Sequence, residues 1–184
     1  MKLPKKARRV FKGILYDVYH WRQQMYDGSF ETFEGLKRAN TVNVLPVVGD
    51  KVLIGYQSQP GMKPFIGLFG GRIDRGEAPL AAAKRELLEE TGYESGDWVL
   101  LDTAELSTKV EWKSYFYAAR DSRPVAPPTL ERGEKIRIQR INFEKFMEWV
   151  ASEKFRDKEV ALTVLRLLRN PRELRAFKRL IFKR

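Results

Sequence analysis

The period of the apolar positions changes several times along this chain, and each change marks an element. Ile14 to Tyr19 alternates imperfectly, Met25 to Phe33 brackets an Asp27-Gly28 turn, and Thr41 to Val48 and Lys51 to Tyr56 flank Gly49-Asp50. Apolar stretches around such turns predict strands joined as hairpins. Gln57 to Gly71 is rich in proline and glycine and reads as a loop. Good helix formers then fill Ala78 to Thr91, with Leu80, Ala83 and Leu87 at helical spacing. Trp98 to Leu101, Ser114 to Ala119 and Lys135 to Ile141 read as further strands, and the loop Pro124 to Pro128 precedes the last. Phe143 to Val150 and Val160 to Leu168 predict amphipathic helices. Asn170-Pro171-Arg172-Glu173 supplies a cap, an N1 proline and an N3 glutamate for a terminal helix. The mixture predicts one α/β (α+β) sandwich.

Composition narrows the chemistry. At 184 residues and 43% apolar content the chain is sized for a single folded domain. It has no cysteine and a single histidine, His20, so disulfides, thiolate zinc sites, cysteine nucleophiles and paired-histidine sites are excluded. His20 reads as a local hydrogen-bonding residue. No apolar run approaches a membrane span and no signal core follows the first residues, which predicts a cytoplasmic protein with no membrane partner. Whatever chemistry exists must use carboxylates.

The net charge of +11 is unevenly placed: residues 1–12 carry six cations and no acid, and residues 166–184 carry eight cations against Glu173 alone. The body, residues 13–165, is left near neutral. The ends therefore read as solvated basic segments, with RNA or another polyanion as the sharper alternative, and no basic catalytic groove is expected. The expected division is a basic segment 1–12, a catalytic domain 13–169, and a basic helix 170–184 packed on the same domain.

The predicted helix holds the informative spacing. Glu86 and Glu90 are i,i+4 and Glu89 is i+3 from Glu86, so three carboxylates share one side, with Glu77 near the helix start. Such crowding disfavours a bare helix unless a cation lies between the charges, and hard oxygen donors suit Mg²⁺, with Mn²⁺ as a substitute. Arg85 is placed to orient a glutamate. Gly70 and Gly71 permit close backbone approach, and Gly92 suits a helix C-terminal cap.

Gly71, Glu77, Arg85, Glu86, Leu87, Glu89, Glu90 and Gly92 together resemble the signature box of the Nudix hydrolases, across residues 71–93. Tyr93 stands where that box usually closes on an aliphatic residue. The resemblance implies an α/β/α sandwich around a mixed sheet and metal-dependent hydrolysis of a nucleoside diphosphate linked to another group. It implies that Glu86, Glu89 and Glu90 bind the metal, that Glu77 and Gly71 complete the cluster, and that Arg85 holds a glutamate in place.

The wider layout is similar to the ADP-ribose pyrophosphatase branch, which makes ADP-ribose or a related nucleotide sugar the expected substrate. Nucleoside triphosphates, damaged ones included, and an RNA-associated role are the alternatives. Gln57-Ser58-Gln59 stands where that branch usually has Gln-x-Arg, and Gly67-Leu68-Phe69-Gly70-Gly71 where it has Glu-Leu-Pro-Ala/Gly-Gly. Gln57, Gln59, Gly70 and Gly71 are accordingly substrate-side candidates. Glu131 or Glu134 falls where the branch often supplies a catalytic base. Tyr19, Trp21, Tyr26 or Trp112 could stack on the nucleobase. The aromatic early hairpin, Ile14 to Phe33, implies a homodimer.

Overall fold

The computed structural model describes residues 2–105 and 108–183. Its main sheet has six strands. Five run in the order β12 (Lys135–Ile141), β5 (Lys51–Ser58), β4 (Thr41–Val48), β10 (Ser114–Arg120), β8 (Asp97–Ala104), and β6 (Phe65–Gly67) also pairs with β5. The β4–β10 pair is parallel and its neighbours are antiparallel, so the sheet is mixed.

Strand β4 shows why helices cover both faces. Val42 and Val44 pack with Ala82, Ala83 and Leu87 of α1 (Pro79–Thr91) on one face, beside Tyr117 and Ala119 of β10. Leu45 and Val47 point the other way, into a larger core with Phe116, Ala118 and the helices α2 (Phe143–Val150), α3 (Lys158–Leu167) and α4 (Pro171–Phe182). A strand buried on both faces reads as a nearly continuous apolar run, as TVNVLPVV does. The result is the α/β/α sandwich around a mixed sheet. None of the helices in the described residues is long and apolar enough to cross a membrane.

A second sheet, in the order β1 (Arg8–Lys12), β2 (Asp17–Gln24), β3 (Phe30–Lys37), β9 (Val110–Glu111), stands beside the main one, and β7 (Tyr93–Glu94) pairs with β11 (Arg123–Pro124). The strand expected from Ile14 begins only at Asp17, because Ile14 to Tyr16 lie in the bend between β1 and β2. The basic segment expected over 1–12 is no free tail. Arg8 to Lys12 hydrogen-bonds along β2 while every one of its residues stays exposed, and the Leu3 N–H donates to Glu111. Charged edge strands of this kind resist further pairing, which is why the segment looked like a solvated end. Phe65 to Gly67, expected as loop, becomes β6. On α1, Leu80 is 36% exposed and Ala82 takes its place in the core.

The Asn170 side chain accepts from the Arg172 and Glu173 N–H groups, and Glu173 accepts in return from the Asn170 amide. Phe177 and Ile181 of the resulting helix are buried, whereas Leu180 faces out. At its far end Lys183 pairs with Asp97 and Asp121, and Arg120 also binds Asp97. These cations, Arg120 first, hold the Asp97 carboxyl below its ordinary range. A depressed folded-state value stabilises the fold above the ordinary carboxylate range, and that stability is lost as pH falls through the folded value. Asp97→Asn should therefore lower the melting temperature by a few degrees near neutral pH. In melting curves against pH, the gap to wild type should close toward about pH 3.

Candidate active site

Glu86 and Glu90 lie on the same side of helix α1 as the residues that anchor it, while Leu80, Ala81, Lys84 and Leu88 face out. Ala82, Ala83 and Leu87 are fully buried under the sheet, and Gly92 ends the helix at φ +71°, its N–H bonded to the Leu88 carbonyl. A side chain at that glycine would also strike the Ala126 carbonyl, so the stop is fixed from both sides.

Glu86 and Glu90 then meet the loop that follows β6, whereas Glu89 reaches Arg85. The Gly70 N–H donates to Glu90 Oε2 at 2.7 Å. Gly70 has φ +142° and lies so close to the Val42 carbonyl that no Cβ fits. At Gly71 a Cβ would stand 2.6 Å from Glu86 Oε1, so the missing side chain is the space that the Glu86 carboxylate occupies. The Gly71 carbonyl accepts from the Val42 N–H.

Arg85 is the hub on the outer side. Its Nη1 donates to Glu86 at 2.8 Å and to Glu89 at 3.0 Å, its Nε and Nη2 grip the two oxygens of Glu77, and Nη2 also reaches the Arg72 carbonyl. Glu77 is held below the usual carboxylate range, Arg85 being the largest cause and the Asp74 N–H the next. Glu86 and Glu90 move the other way. Burial pushes both up, and the nearby charge of Glu134 adds to it. Glu90, 6% exposed, is pushed up to about 9.

The cluster borders an open cleft of about 380 Å³ whose lining includes Gly70, Gly71, Glu134, Trp112 and Gln59. Of the two loop candidates the structure brings in Glu134. Glu131 sits in the same turn, where its N–H and carbonyl bond to Glu134, but its side chain is exposed and does not line the cleft.

The aromatic candidates separate in the same way. Trp112 lines the cleft, its indole N–H donating to Thr41 Oγ1. Trp21 does not: it is 7% exposed and packs on Phe33 and against Gly35 inside the β2–β3 hairpin. Tyr26 is fully exposed at the tip of that hairpin, and Tyr19 faces a neighbouring groove. His20 bonds Glu34 across the same hairpin. Gln57 is not a substrate contact either. It is 2% exposed and its amide donates to the Leu68 carbonyl, holding the loop from behind.

Asn43, Arg156, Asp157 and Glu159 also line the cleft, and the sequence reading had missed them. Asp157, almost fully buried, accepts from the Leu68 N–H at 2.7 Å and from Arg156, so the loop is held from both of the peptide groups that flank Leu68. Asn43 donates to Ser114 and to Glu159. One signal was available: Asn43 is the single polar residue inside the apolar core of a strand. A buried amide there needs partners.

The donor set fits a hard divalent cation, since it offers carboxylate oxygens and the charge of Glu134 raises the proton affinity of both Glu86 and Glu90. Among the described residues no group of three or more His, Cys, Asp or Glu side chains converges in ready liganding geometry. Arg85 draws Glu86 and Glu89 outward while Gly70 holds Glu90 inward.

Residues 37–168 match the family model described as the NUDIX domain. The chain belongs to that family and is a Nudix hydrolase. It is 24% identical over 169 residues to an ADP-ribose pyrophosphatase of Bacillus subtilis (strain 168), covering 85% of this chain and 86% of that protein. It is 20% identical over 163 residues to a methanol dehydrogenase activator of Bacillus methanolicus, covering 86% of this chain and 88% of that protein. A crystal structure of an ADP compounds hydrolase superposes with a TM-score of 0.73 at 21% identity, over 95% of this chain and the whole of the other.

Gly71→Ala tests the packing at the cluster. Its methyl group must push the flexible end of Glu86 aside. Turnover should fall by about tenfold or more, because an ångström of misplacement is enough for that, while the melting curve stays close to wild type. Parallel kinetics and melting check it.

Proposed function

We propose that this Nudix pyrophosphohydrolase cleaves the diphosphate of ADP-ribose or a related nucleotide sugar, with water as the attacking group. The observation that carries the reading is that Gly70 and Gly71 line one cleft with Glu134 and touch Glu90 and Glu86, so the buried carboxylates lie directly behind its wall. The similarity to an ADP-ribose pyrophosphatase supports the choice of substrate class.

Glu86, Glu89 and Glu90 would hold Mg²⁺, or Mn²⁺ in its stead, with Glu77 fixing Arg85 and Gly71 giving Glu86 its room. A bound divalent cation supplies charge neutralisation on the diphosphate and lowers the pKa of a bound water. The chain's own residues do the rest. Arg85 limits the swing of Glu86 and Glu89, and Gly70 fixes Glu90. Glu134, half-buried and close to other carboxylates, is placed to take a proton from the attacking water. Trp112 offers its ring to the base. Arg38 and Arg72 line the same cleft and offset phosphate charge.

Metal-dependent release of product should be measured across ADP-ribose, nucleotide sugars, dinucleotides and nucleoside triphosphates, with products identified. Cleavage of ADP-ribose to AMP and a sugar phosphate is expected. Hydrolysis confined to triphosphates would refute the substrate class. Glu90→Gln should remove most turnover and leave the melting temperature level or higher, since it deletes a charge that burial disfavours. Near-normal turnover in that variant would sink the ligand role.

The second sheet supports a homodimer. Phe11, Ile14, Leu15, Tyr26 and Phe30 are all exposed there, more apolar surface than a ribbon in water needs. Light scattering at micromolar concentration should give twice the chain mass of 21.5 kDa, and a monomer would remove the proposal.

A further inference from the structure

A groove of about 860 Å³, larger than the cleft beside the glutamates, lies between the second sheet and the loop 72–77 that leads into α1, and it adjoins the cleft because Arg38 and Arg72 line both. Six cationic and four acidic side chains line it. The acids are already engaged: Asp17 by Arg9 at 2.9 Å, Glu111 by Lys37 at 2.5 Å, Asp74 by Arg72 at 3.8 Å, and Glu77 by Arg85 at 3.1 Å. Among the described residues that leaves Lys12, Arg38 and Arg75 with no carboxylate within ion-pair reach.

Arg38 is the most telling of the three. Its guanidinium lies 5.5 Å from the Tyr16 ring centroid and 5.4 Å from that of Trp112, so it is held in place by two aromatic rings instead of a counter-ion. Among the described residues its one side-chain hydrogen bond is a long 3.4 Å contact to the Tyr16 hydroxyl, and its Nε is buried without an acceptor. A half-buried, preorganised guanidinium with no anion beside it is costly unless a ligand brings the anion. Phosphate is the anion whose geometry the fork matches.

We propose that this groove is a second phosphate subsite, in which Arg38, Lys12 and Arg75 take a phosphate that the substrate carries outside the scissile diphosphate. The assignment rests on the pyrophosphohydrolase reading above and sharpens it. The preferred substrate is a nucleoside diphosphate compound bearing a further phosphomonoester. Lys12, on β1 of the second sheet, lies outside the matched family region, residues 37–168, whereas Arg38 and Arg75 lie within it.

The first test needs no turnover. Inorganic tripolyphosphate is titrated calorimetrically into the metal-free protein at fixed ionic strength. Lys12→Gln/Arg75→Gln, two exposed positions whose replacement does not threaten the fold, should weaken binding at least tenfold, and Arg38→Lys should weaken it while keeping the charge. Unchanged affinity in the double variant overturns the subsite. The second test compares kcat/KM for ADP-ribose with ADP-ribose bearing a 2′- or a 1″-phosphate. At least one phosphorylated form should be preferred fivefold or more, and the double variant should lose that preference. Equal values for all three overturn the assignment to substrate. Absence of turnover on all three refutes the function reading, while the titration still decides the subsite.

Discussion

The contact between the Gly70 N–H and the buried carboxylate of Glu90 is the constraint on which the site depends. It joins the helix that carries the carboxylates to the loop that faces the cleft, and it does so with an ionisable group that burial makes unwilling to carry charge. Several features exist to keep it. The absence of a Cβ lets Gly70 press on the β4 backbone, Gly71 leaves room for Glu86, and the Leu68 peptides are held by Gln57 on one side and Asp157 on the other. Burial of Ala82, Ala83 and Leu87 fixes the height of α1 above the sheet. A full leucine burial contributes about 1.5–3 kcal/mol, comparable with the penalty of a single poorly paired polar group in the interior. The apolar burial of α1 thus offsets part of what burying Glu90 beside it costs.

Charge is sorted by Arg85. It binds three glutamates at once, and its pairing with Glu77 is the largest cause of its raised proton affinity. Glu77 therefore belongs to the scaffold: it fixes the arginine that positions the others. On the inner side Arg156 offsets the charge of Glu90 only in part, and Glu134 raises the proton affinity of both Glu86 and Glu90. A site with excess negative charge next to an open cleft, and surplus positive charge one groove further out, suits a ligand that is itself a chain of anionic groups bridged by metal.

The box glutamates, Arg85 and the glycines were legible in the sequence because their roles depend on spacing along one helix and one loop. The layered fold was legible for a similar reason, since apolar runs and helical periods report burial directly. Contacts between distant segments were not. Trp21 and Gln57 carry the residue types of a ligand site, yet the first packs inside its hairpin and the second serves a backbone carbonyl. Asp157 and Arg38 reach the cleft only because α3 and the end of β3 converge there. The cations of the neighbouring groove were illegible for the same cause: Lys12 belongs to the basic first segment and Arg38 and Arg75 to the near-neutral body, and only the fold brings them to one groove.

The proposed function requires the α1 carboxylates to form one divalent-cation site beside the cleft. Electron paramagnetic resonance of Mn²⁺ titrated into the protein reads this directly, because bound and free Mn²⁺ give separate signals. Saturable uptake by the wild-type chain is expected, with at least a tenfold loss of affinity in both Glu86→Gln and Glu90→Gln and native melting curves. Equal Mn²⁺ affinity in wild type and both variants would contradict it.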